Sequence, residues 1–361
     1  MKPSLVIDSD IVTANINKMA EKCKRLGLEW RPHFKTHQSK TIGRWFRTFG
    51  VSGITVSSIE MARFFAEDGW TDITIAFPVD CSRMIELEAL SEITQLTMIT
   101  SSLKALEQLS EAHFKQRPHL LIEVDPMNGR SGVDIEDTSA LEDLVDRASS
   151  LKTVVYKGFY AHAGQTYKGR SAEDVLAIVA PVLRRLHTLK ARFPGSVICF
   201  GDTPSCSLTD DIDIATQTSP GNLVFYDWIQ TRIGSCTPAD IGIAMKCTVI
   251  ELFPKRNQFL IHGGAIHFSK DADVTEDGKP YYGVVAESKG NGWGNPLEGA
   301  FLSSISQEHG MVSCTKAYLE TLNVGDEIFV LPIHSCLTAD CMGGYIDLDG
   351  NQIDHFSSVR S

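Results

Sequence analysis

A single lysine stands among cationic side chains near the N-terminus of the sequence. Residues 30–37 are WRPHFKTH, which places Lys35 between His33 and His37. We expect a strand that ends near Lys35, and because alternate strand residues share a face, these three side chains would project together. Neighbouring positive groups can lower the pKa of a lysine enough for it to form a Schiff base with the aldehyde of pyridoxal phosphate (PLP). Lys35 is therefore the candidate cofactor lysine, against the alternative of a solvated lysine.

A histidine and a cysteine stand two residues apart near the other end of the chain. Residues 332–340 are PIHSCLTAD, and in an extended segment His334 and Cys336 would point the same way and bind one ion such as zinc. Two protein ligands leave positions for water and a substrate oxygen, which suits catalysis. The alternative is a buried histidine beside a buried free cysteine. Asp340 and Cys341 are less natural third ligands.

Two turns of small residues offer a cradle for a phosphate group. Residues 201–205 are GDTPS, in which Gly201 allows close approach and Thr203 and Ser205 carry hydroxyl donors, and residues 219–222 are SPGN. Such sequences also form ordinary turns without a ligand.

Three further side chains follow predicted strands. Arg130, in a loop after a strand, would meet the cofactor ring or a substrate carboxylate, unless it is a surface arginine. Tyr160 and His162 lie two apart and so share a face of their strand, although a strand histidine is often a satisfied core residue.

Composition limits the class of protein. The 361 residues carry a formal net charge of −11, which disfavours broad nucleic-acid or anionic membrane surfaces and favours a small ligand. Nine cysteines without a CxxC pair predict a reducing compartment, and we find neither a signal peptide nor a membrane-length apolar run. We therefore expect a cytoplasmic protein.

Helical patterns alternate with short β-branched runs over the first two thirds of the chain. Asp10 is predicted to cap a first helix that Gly27 ends. The alternation indicates parallel βα units, and polar residues at many strand ends favour a (β/α)₈ barrel over a doubly wound sheet. Strands are predicted at the end of the lysine segment and in seven further segments: 54–58, 73–78, 95–100, 120–125, 154–162, 197–202 and near 214–222.

After about residue 240 the pattern changes to strand-like runs broken by Gly, Asp and Pro. We predict strands at 244–253, 258–261, 282–286 and 326–331. The predicted domains are a barrel over 9–238 and a mainly β domain formed by 1–8 and 239–361, which carries the histidine and cysteine pair.

Five motifs in order resemble fold type III PLP enzymes with an alanine racemase-like barrel, and within them the D-serine dehydratase and D-threonine aldolase group. The motifs are residues 31–37, 201–205, 220–222 with Tyr226 and Asp227, 306–310, and 334–336. The resemblance implies a Schiff base on Lys35 and a divalent metal, zinc or manganese, on His334 and Cys336. It also implies a homodimer with the active site at the interface. The implied cofactor contacts are His33, Arg130, Tyr160, Gly201, Thr203, Ser205, Gly221, Asn222 and Tyr226.

The implied reaction acts on D-3-hydroxy amino acids. Lys35 would remove the Cα proton, and loss of the β-hydroxyl with metal assistance would give a 2-oxo acid and ammonia. If His162 or His309 instead took the hydroxyl proton, retro-aldol cleavage would give glycine and an aldehyde. A cysteine thiolate as metal ligand resembles the dehydratase branch of this group more than the aldolase branch, where a carboxylate is expected at that place. An amino-acid racemase, a PLP carrier protein and a binding module with a structural metal clamp remain alternatives.

Overall fold

The computed structural model describes residues 2–356 and divides into two units. One unit contains the chain up to Ile16, Thr36–Ile42 and the chain from Asn222 onward, and the other contains Asn17–Lys35 and Gly43–Gly221. The predicted domain boundary at 238 and 239 lies further along the chain than this division at Gly221 and Asn222. Residues 1 and 357–361 of the predicted β domain lie outside the described residues.

The unit with Gly43–Gly221 contains the predicted barrel. Its parallel strands follow one another around the sheet in chain order, and a bridge between His33 and Thr55 joins the first strand to the second. This closure confirms the (β/α)₈ prediction. The strands are Glu29–Trp30, Ile54–Val56, Asp72–Pro78, Gln95–Thr100, His119–Asp125, Val155–Ala161, Val197–Phe200 and Gln217–Thr218, with Val133–Asp134 paired beside the fifth.

The first strand is shorter than predicted, and the extension to Lys35 was wrong. Pairing ends at Trp30 apart from the single bridge at His33, and residues 34–37 form a turn. Pro32 has no N–H to continue the ladder, which explains the early end. The Phe34 ring then packs on Phe65 at 4.9 Å between ring centres, anchoring the turn in the core. The alternation argument for a common face therefore does not apply to this segment.

Helices follow most strands and cover the barrel, and within residues 2–356 none combines the length and apolar character needed to cross a membrane. The first helix is capped by Asp8 rather than Asp10, because Asp8 Oδ1 accepts hydrogen bonds from the N–H groups of Asp10 and Ile11. The helices are Ser9–Leu26, Lys40–Arg47, Ile59–Ala66, Met84–Ser91, Leu103–Ser110, Thr138–Ser150, Ala172–Arg192, Thr203–Leu208, Trp228–Ile233, Ala265–Phe268, Lys316–Leu319 and Ser335–Met342.

The second unit is built on a largely antiparallel sheet, as the prediction of a mainly β domain requires. Ile243–Phe253 also pairs with Gln258–His262, which closes six of the strands into a barrel. Several strands were not predicted, and the longest of them is Gly292–Ile305, whose pairing with both neighbouring strands contains register shifts. The strands are Ser4–Ile7, Ile243–Phe253, Gln258–His262, Gly283–Lys289, Gly292–Ile305, His309–Ser313, Glu327–Pro332, Tyr345–Asp347 and Gln352–Ile353, with a separate pair Asp273–Val274 and Pro280–Tyr281.

Candidate active site

Lys35 lies in the turn after the first barrel strand, and its side chain is exposed. Its backbone N–H donates to Nδ1 of the buried His33 at 3.4 Å. His37 was predicted to lie beside the Lys35 side chain, and it does not. It is fully buried, and its Nδ1 accepts from the Ser39 N–H at 3.1 Å. Burial lowers the pKa of His37 to about 3, so this imidazole is neutral, and its hydrogen bond stabilises the turn.

His162 follows the strand Val155–Ala161 and is close enough to Lys35 to respond to its charge. Burial lowers the pKa of His162 to about 4, with further lowering by the positive charges of Arg130 and Lys35. Its Nδ1–H donates to the carbonyl oxygen of Gly201 at 2.8 Å. The ring is therefore neutral, and Nε2 is left as a proton acceptor.

Arg130 lies in the loop after the strand His119–Asp125, beside a buried carboxyl group. A guanidinium nitrogen is 4.0 Å from Oε1 of Glu123, which is buried and also accepts from the Ser131 hydroxyl at 2.8 Å. Burial raises the pKa of Glu123, and the positive charge of Arg130 opposes this. Burial also raises the pKa of the neighbouring Tyr160. The structure thus brings Lys35, Arg130, Tyr160 and His162 into one barrel region.

The turn after the strand Val197–Phe200 leads directly into the helix Thr203–Leu208. A Cβ atom at Gly201 would lie 2.7 Å from the backbone nitrogen of Ser219, so glycine is required here by close packing. Asp202 Oδ1 accepts from the Ser205 N–H at 2.8 Å, so Asp202 caps this helix. The Thr203 hydroxyl is buried and, within the described residues, has no hydrogen-bond partner. The Ser205 hydroxyl is likewise buried without a partner among the described residues, so both predicted hydroxyl donors fit an anion.

Gly221 is needed for the same steric reason. A Cβ atom at this position would lie 2.4 Å from the carbonyl oxygen of His33, so the 219–222 turn packs directly on the segment that carries the lysine. Close backbone packing brings this turn to the start of the Lys35 segment.

Asn222 belongs to the other unit and lies next to the predicted metal ligands. Its amide donates to Asp227 Oδ2 at 2.7 Å and to the Ser335 hydroxyl at 3.0 Å, and is 3.6 Å from Cys336 Sγ. Asp227 Oδ2 also accepts from the Ser335 N–H at 2.9 Å. The Asn222 Oδ1 atom is buried without a partner among residues 2–356. Asp227 therefore holds the backbone between His334 and Cys336.

Tyr226 lies in the same turn and is buried with a left-handed backbone conformation, φ 48°. Its N–H donates to the Asn222 carbonyl oxygen at 2.8 Å. This bond fixes the turn that leads into Asp227.

His334 and Cys336 are adjacent in space, although not through an extended segment as predicted. His334 is the N-cap of the helix Ser335–Met342, and Cys336 is in its first turn. Burial alone would lower the pKa of His334, but hydrogen bonds to Asp271 and to Cys336 raise it to about 11. Burial raises the pKa of the Cys336 thiol, but the bond with His334 and contacts with Thr36 and Asn222 lower it overall. The pair therefore favours a thiolate, the form of cysteine that binds metals.

Asp271 was missed by the sequence analysis. Its Oδ2 atom is 2.6 Å from His334 Nδ1, although 63 residues separate the two in the chain. Since Nδ1 faces this carboxylate, Nε2 is the imidazole nitrogen left for an ion, and a nitrogen with a thiolate is a donor set that suits zinc. Within residues 2–356 no group of three or more His, Cys, Asp or Glu side chains has metal-binding geometry, so the fit rests on two protein ligands.

His309 is exposed at the start of the strand His309–Ser313, opposite His262. In the sheet order two strands separate this strand from Glu327–Pro332, which leads to His334. The structure thus places His309 on a different part of the sheet from the metal pair.

Two family models match the chain in succession. Residues 7–225 match the model described as "Alanine racemase, N-terminal domain", and residues 243–347 match the model described as "Putative serine dehydratase domain". The chain belongs to the alanine racemase-like family of fold type III PLP enzymes. The first model covers the barrel strands and the second covers the His334 and Cys336 pair with Asp271.

Relatives of this PLP enzyme match over nearly its full length. It is 27% identical to D-serine dehydratase of Dictyostelium discoideum, over 98% of this chain and 94% of the relative. The solved structure of D-threo-3-hydroxyaspartate dehydratase from Delftia sp. HT23 has a TM-score of 0.87 and 26% identity, over 98% and 97% of the two chains. A cysteine-to-alanine variant of that dehydratase was solved in the metal-free form. D-threonine aldolase of Arthrobacter sp is 26% identical over 62% and 61%.

Proposed function

We propose that this PLP enzyme is a lyase that dehydrates D-3-hydroxy amino acids, as D-serine dehydratase does, to a 2-oxo acid and ammonia. The observation that carries the proposal is the His334, Cys336 and Asp271 arrangement, which lies inside the region that matches the serine dehydratase domain model. Similarity to two dehydratases over nearly the whole chain supports the same choice.

PLP, when bound, supplies an electron sink for carbanion chemistry at the substrate's Cα. Lys35 would hold it covalently, and the Thr203 hydroxyl would supply a donor for its phosphate, with Gly201 and Gly221 assigned to the two turns around that phosphate. Arg130, which lies near Glu123, is the side chain assigned to contact the cofactor ring. His33, Tyr160, Ser205, Asn222 and Tyr226 are assigned to shaping this site.

Proton transfer is assigned to Lys35 and His162. The Lys35 amine, once the substrate's amino group has replaced it on the cofactor, would take the Cα proton, because a general base must lie within hydrogen-bond reach of the proton that it removes. His162 is neutral with Nε2 as acceptor, which suits removal of the β-hydroxyl proton in aldol cleavage and not the departure of that hydroxyl in dehydration. These assignments require no titration of His162 in the physiological range.

A divalent metal, zinc or manganese, would be held by His334 and Cys336 and would act as a Lewis acid toward the β-hydroxyl. Cys336 also contacts Thr36, with 3.3 Å between Sγ and the hydroxyl oxygen, and Thr36 follows Lys35 in the sequence. The metal-free form recorded for a cysteine variant of the Delftia dehydratase supports a metal role for a cysteine.

Aldol cleavage is the second candidate function. Similarity to D-threonine aldolase supports it over about three fifths of the chain. It requires a base for the β-hydroxyl proton, and His162 has the required neutral form whereas His309 is exposed elsewhere on the sheet.

We further propose that the chain works as a homodimer in the cytoplasm, with its active site completed at the interface. Phe77 and Ile85 are 60% and 82% exposed in the barrel unit, and a second copy that covered these apolar side chains would remove them from water. The nine free thiols suit a reducing compartment. Light scattering on the purified protein tests the dimer.

The deciding experiment is product analysis. Purified protein with PLP and zinc or manganese is given D-serine, D-threonine and 3-hydroxy-D-aspartate, in parallel with the L-isomers. Ammonia and a 2-oxo acid from the D-isomers support the dehydratase. Glycine and an aldehyde would replace it with the aldolase, and the absence of both products would overturn the lyase proposal.

A further inference from the structure

Asp271 accepts a hydrogen bond from His334 Nδ1–H, and this bond determines which imidazole nitrogen faces away from the carboxylate. The carboxylate oxygen Oδ2 lies 2.6 Å from Nδ1, so Nδ1 donates its hydrogen to Asp271, and Nε2 is the nitrogen on which an ion would replace a proton. In metalloproteins a carboxylate in this relation fixes the tautomer and orientation of a histidine ligand and raises its basicity. We infer that Asp271 is a positioning residue that prepares His334 to bind a divalent cation; the inference rests on the proposed function.

The segment that carries Asp271 is fixed on both sides. The Asp271 N–H donates to the Ser269 hydroxyl at 3.2 Å. Asp273, two residues further on, is buried and accepts from the Tyr281 hydroxyl at 2.9 Å. Arg232 Nε lies 3.4 Å from the same Asp273 oxygen. These contacts hold the loop that carries Asp271 and so fix the position of its carboxylate.

The same hydrogen-bonded framework reaches the backbone beside the second ligand. The Trp228 indole N–H donates to the Tyr281 hydroxyl at 2.7 Å. Trp228 begins a helix whose N-cap is Asp227, and Asp227 binds both the N–H and the hydroxyl of Ser335. Ser335 lies between His334 and Cys336 in the chain. One framework therefore orients both candidate ligands, as a preorganised cation site requires.

A purely stabilising ion pair is the competing explanation. The side chains of His334 and Asp271 are 33% and 41% exposed, and ion pairs with that exposure contribute little to folding. A structural role alone therefore predicts that removal of Asp271 lowers the melting temperature slightly and affects zinc binding only as far as the fold is lost. A positioning role predicts weaker metal binding by a protein of unchanged fold.

The test measures metal affinity directly. Asp271→Ala and Asp271→Asn are prepared as PLP-loaded protein, stripped with a chelator and titrated with zinc against a chromophoric competitor. We expect zinc affinity to fall about 10- to 100-fold in D271A, and less in D271N because the amide oxygen can still accept from Nδ1–H. PLP absorbance and the melting temperature of the metal-free protein should not change. Asp277→Ala, which removes an exposed acid paired with Lys279, is the matched control.

Three outcomes count against the inference. Zinc affinity within twofold of wild type in both variants would overturn it and leave the proposed function intact. Loss of zinc binding together with a lower melting temperature in D271N would overturn it in favour of a structural role. Wild-type protein that binds neither zinc nor manganese would overturn both the inference and the metal part of the proposed function. If D271A does not fold, D271N and Tyr281→Phe, which removes one bond to Asp273, carry the same titration, with a smaller loss expected in each.

Discussion

The imidazole Nδ1 of His162 lies 2.8 Å from the carbonyl oxygen of Gly201. A carbonyl oxygen can only accept, so Nδ1 must carry the hydrogen, and Nε2 keeps a lone pair. Burial and the nearby charges of Arg130 and Lys35 lower the pKa of His162 to about 4. The residue is thus a neutral proton acceptor from weakly acidic to alkaline pH.

The low pKa of His162 predicts an effect on stability. The unfolded chain binds a proton at this residue below its ordinary pKa of about 6.5, whereas the folded protein binds it only near 4. Stability should therefore fall as the pH drops from about 6.5 towards 4. His162→Gln should reduce this slope, measured as urea midpoints at several pH values. His113→Gln, at a 92% exposed side chain, is the control, and an unchanged slope in H162Q would contradict the assignment.

Replacement of Lys35 should abolish the visible absorbance of bound PLP. Lys35→Ala removes the amine that attaches the cofactor and the proposed base, so turnover should fall by about 100-fold or more. Spectra and initial rates of the purified variants test both effects. Lys18→Ala, on the exposed side of the first helix, should match wild type. Retention of the absorbance in K35A would remove Lys35 from its role.

Loss of either metal ligand should separate turnover from cofactor binding. His334→Ala and Cys336→Ala are expected to lower turnover about 100-fold or more, because a Lewis acid contributes several kcal/mol. PLP absorbance should stay, and a chelator should reproduce the loss in wild type. Cys341→Ala, an exposed cysteine on the same helix, is the matched control. Full activity of H334A or C336A would exclude a catalytic metal at this pair.

The buried Thr203 hydroxyl should contribute to cofactor affinity. It has no protein partner within the described residues, and a hydrogen bond to a charged phosphate contributes about 1.5 to 3 kcal/mol. Thr203→Val, which keeps the shape, should weaken PLP binding roughly 10- to 100-fold. Thr203→Ser keeps the hydroxyl and should stay near wild type. Equal PLP affinity in T203V, measured by spectrophotometric titration, would show that the phosphate lies elsewhere.

The sequence determined most of the barrel because its signals are local. The predicted strand 95–100 is found at Gln95–Thr100, and the prediction of 197–202 overruns the observed Val197–Phe200 by two residues. Apolar alternation and turn residues act within a few positions, so they survive in the sequence alone. The errors have two causes, one local and one in the pairing of strands. Pro32 ends the first strand early, and register shifts disguise the strand Gly292–Ile305.

The residues of the candidate site also fall into two groups, those that the sequence indicated and those that only the fold brought together. The residue types and spacing near Lys35 and at the His334 and Cys336 pair led to the predictions of a PLP lysine and a metal pair, and both stay predictions. Only the tertiary structure could bring Asp271 to His334 and Asp227 to Ser335, across 63 and 108 residues. It also decided that His37 is a buried neutral residue of the turn rather than a partner of Lys35. The physical reason is that a hydrogen bond depends on distance and direction in space, and chain folding sets both where the sequence order does not.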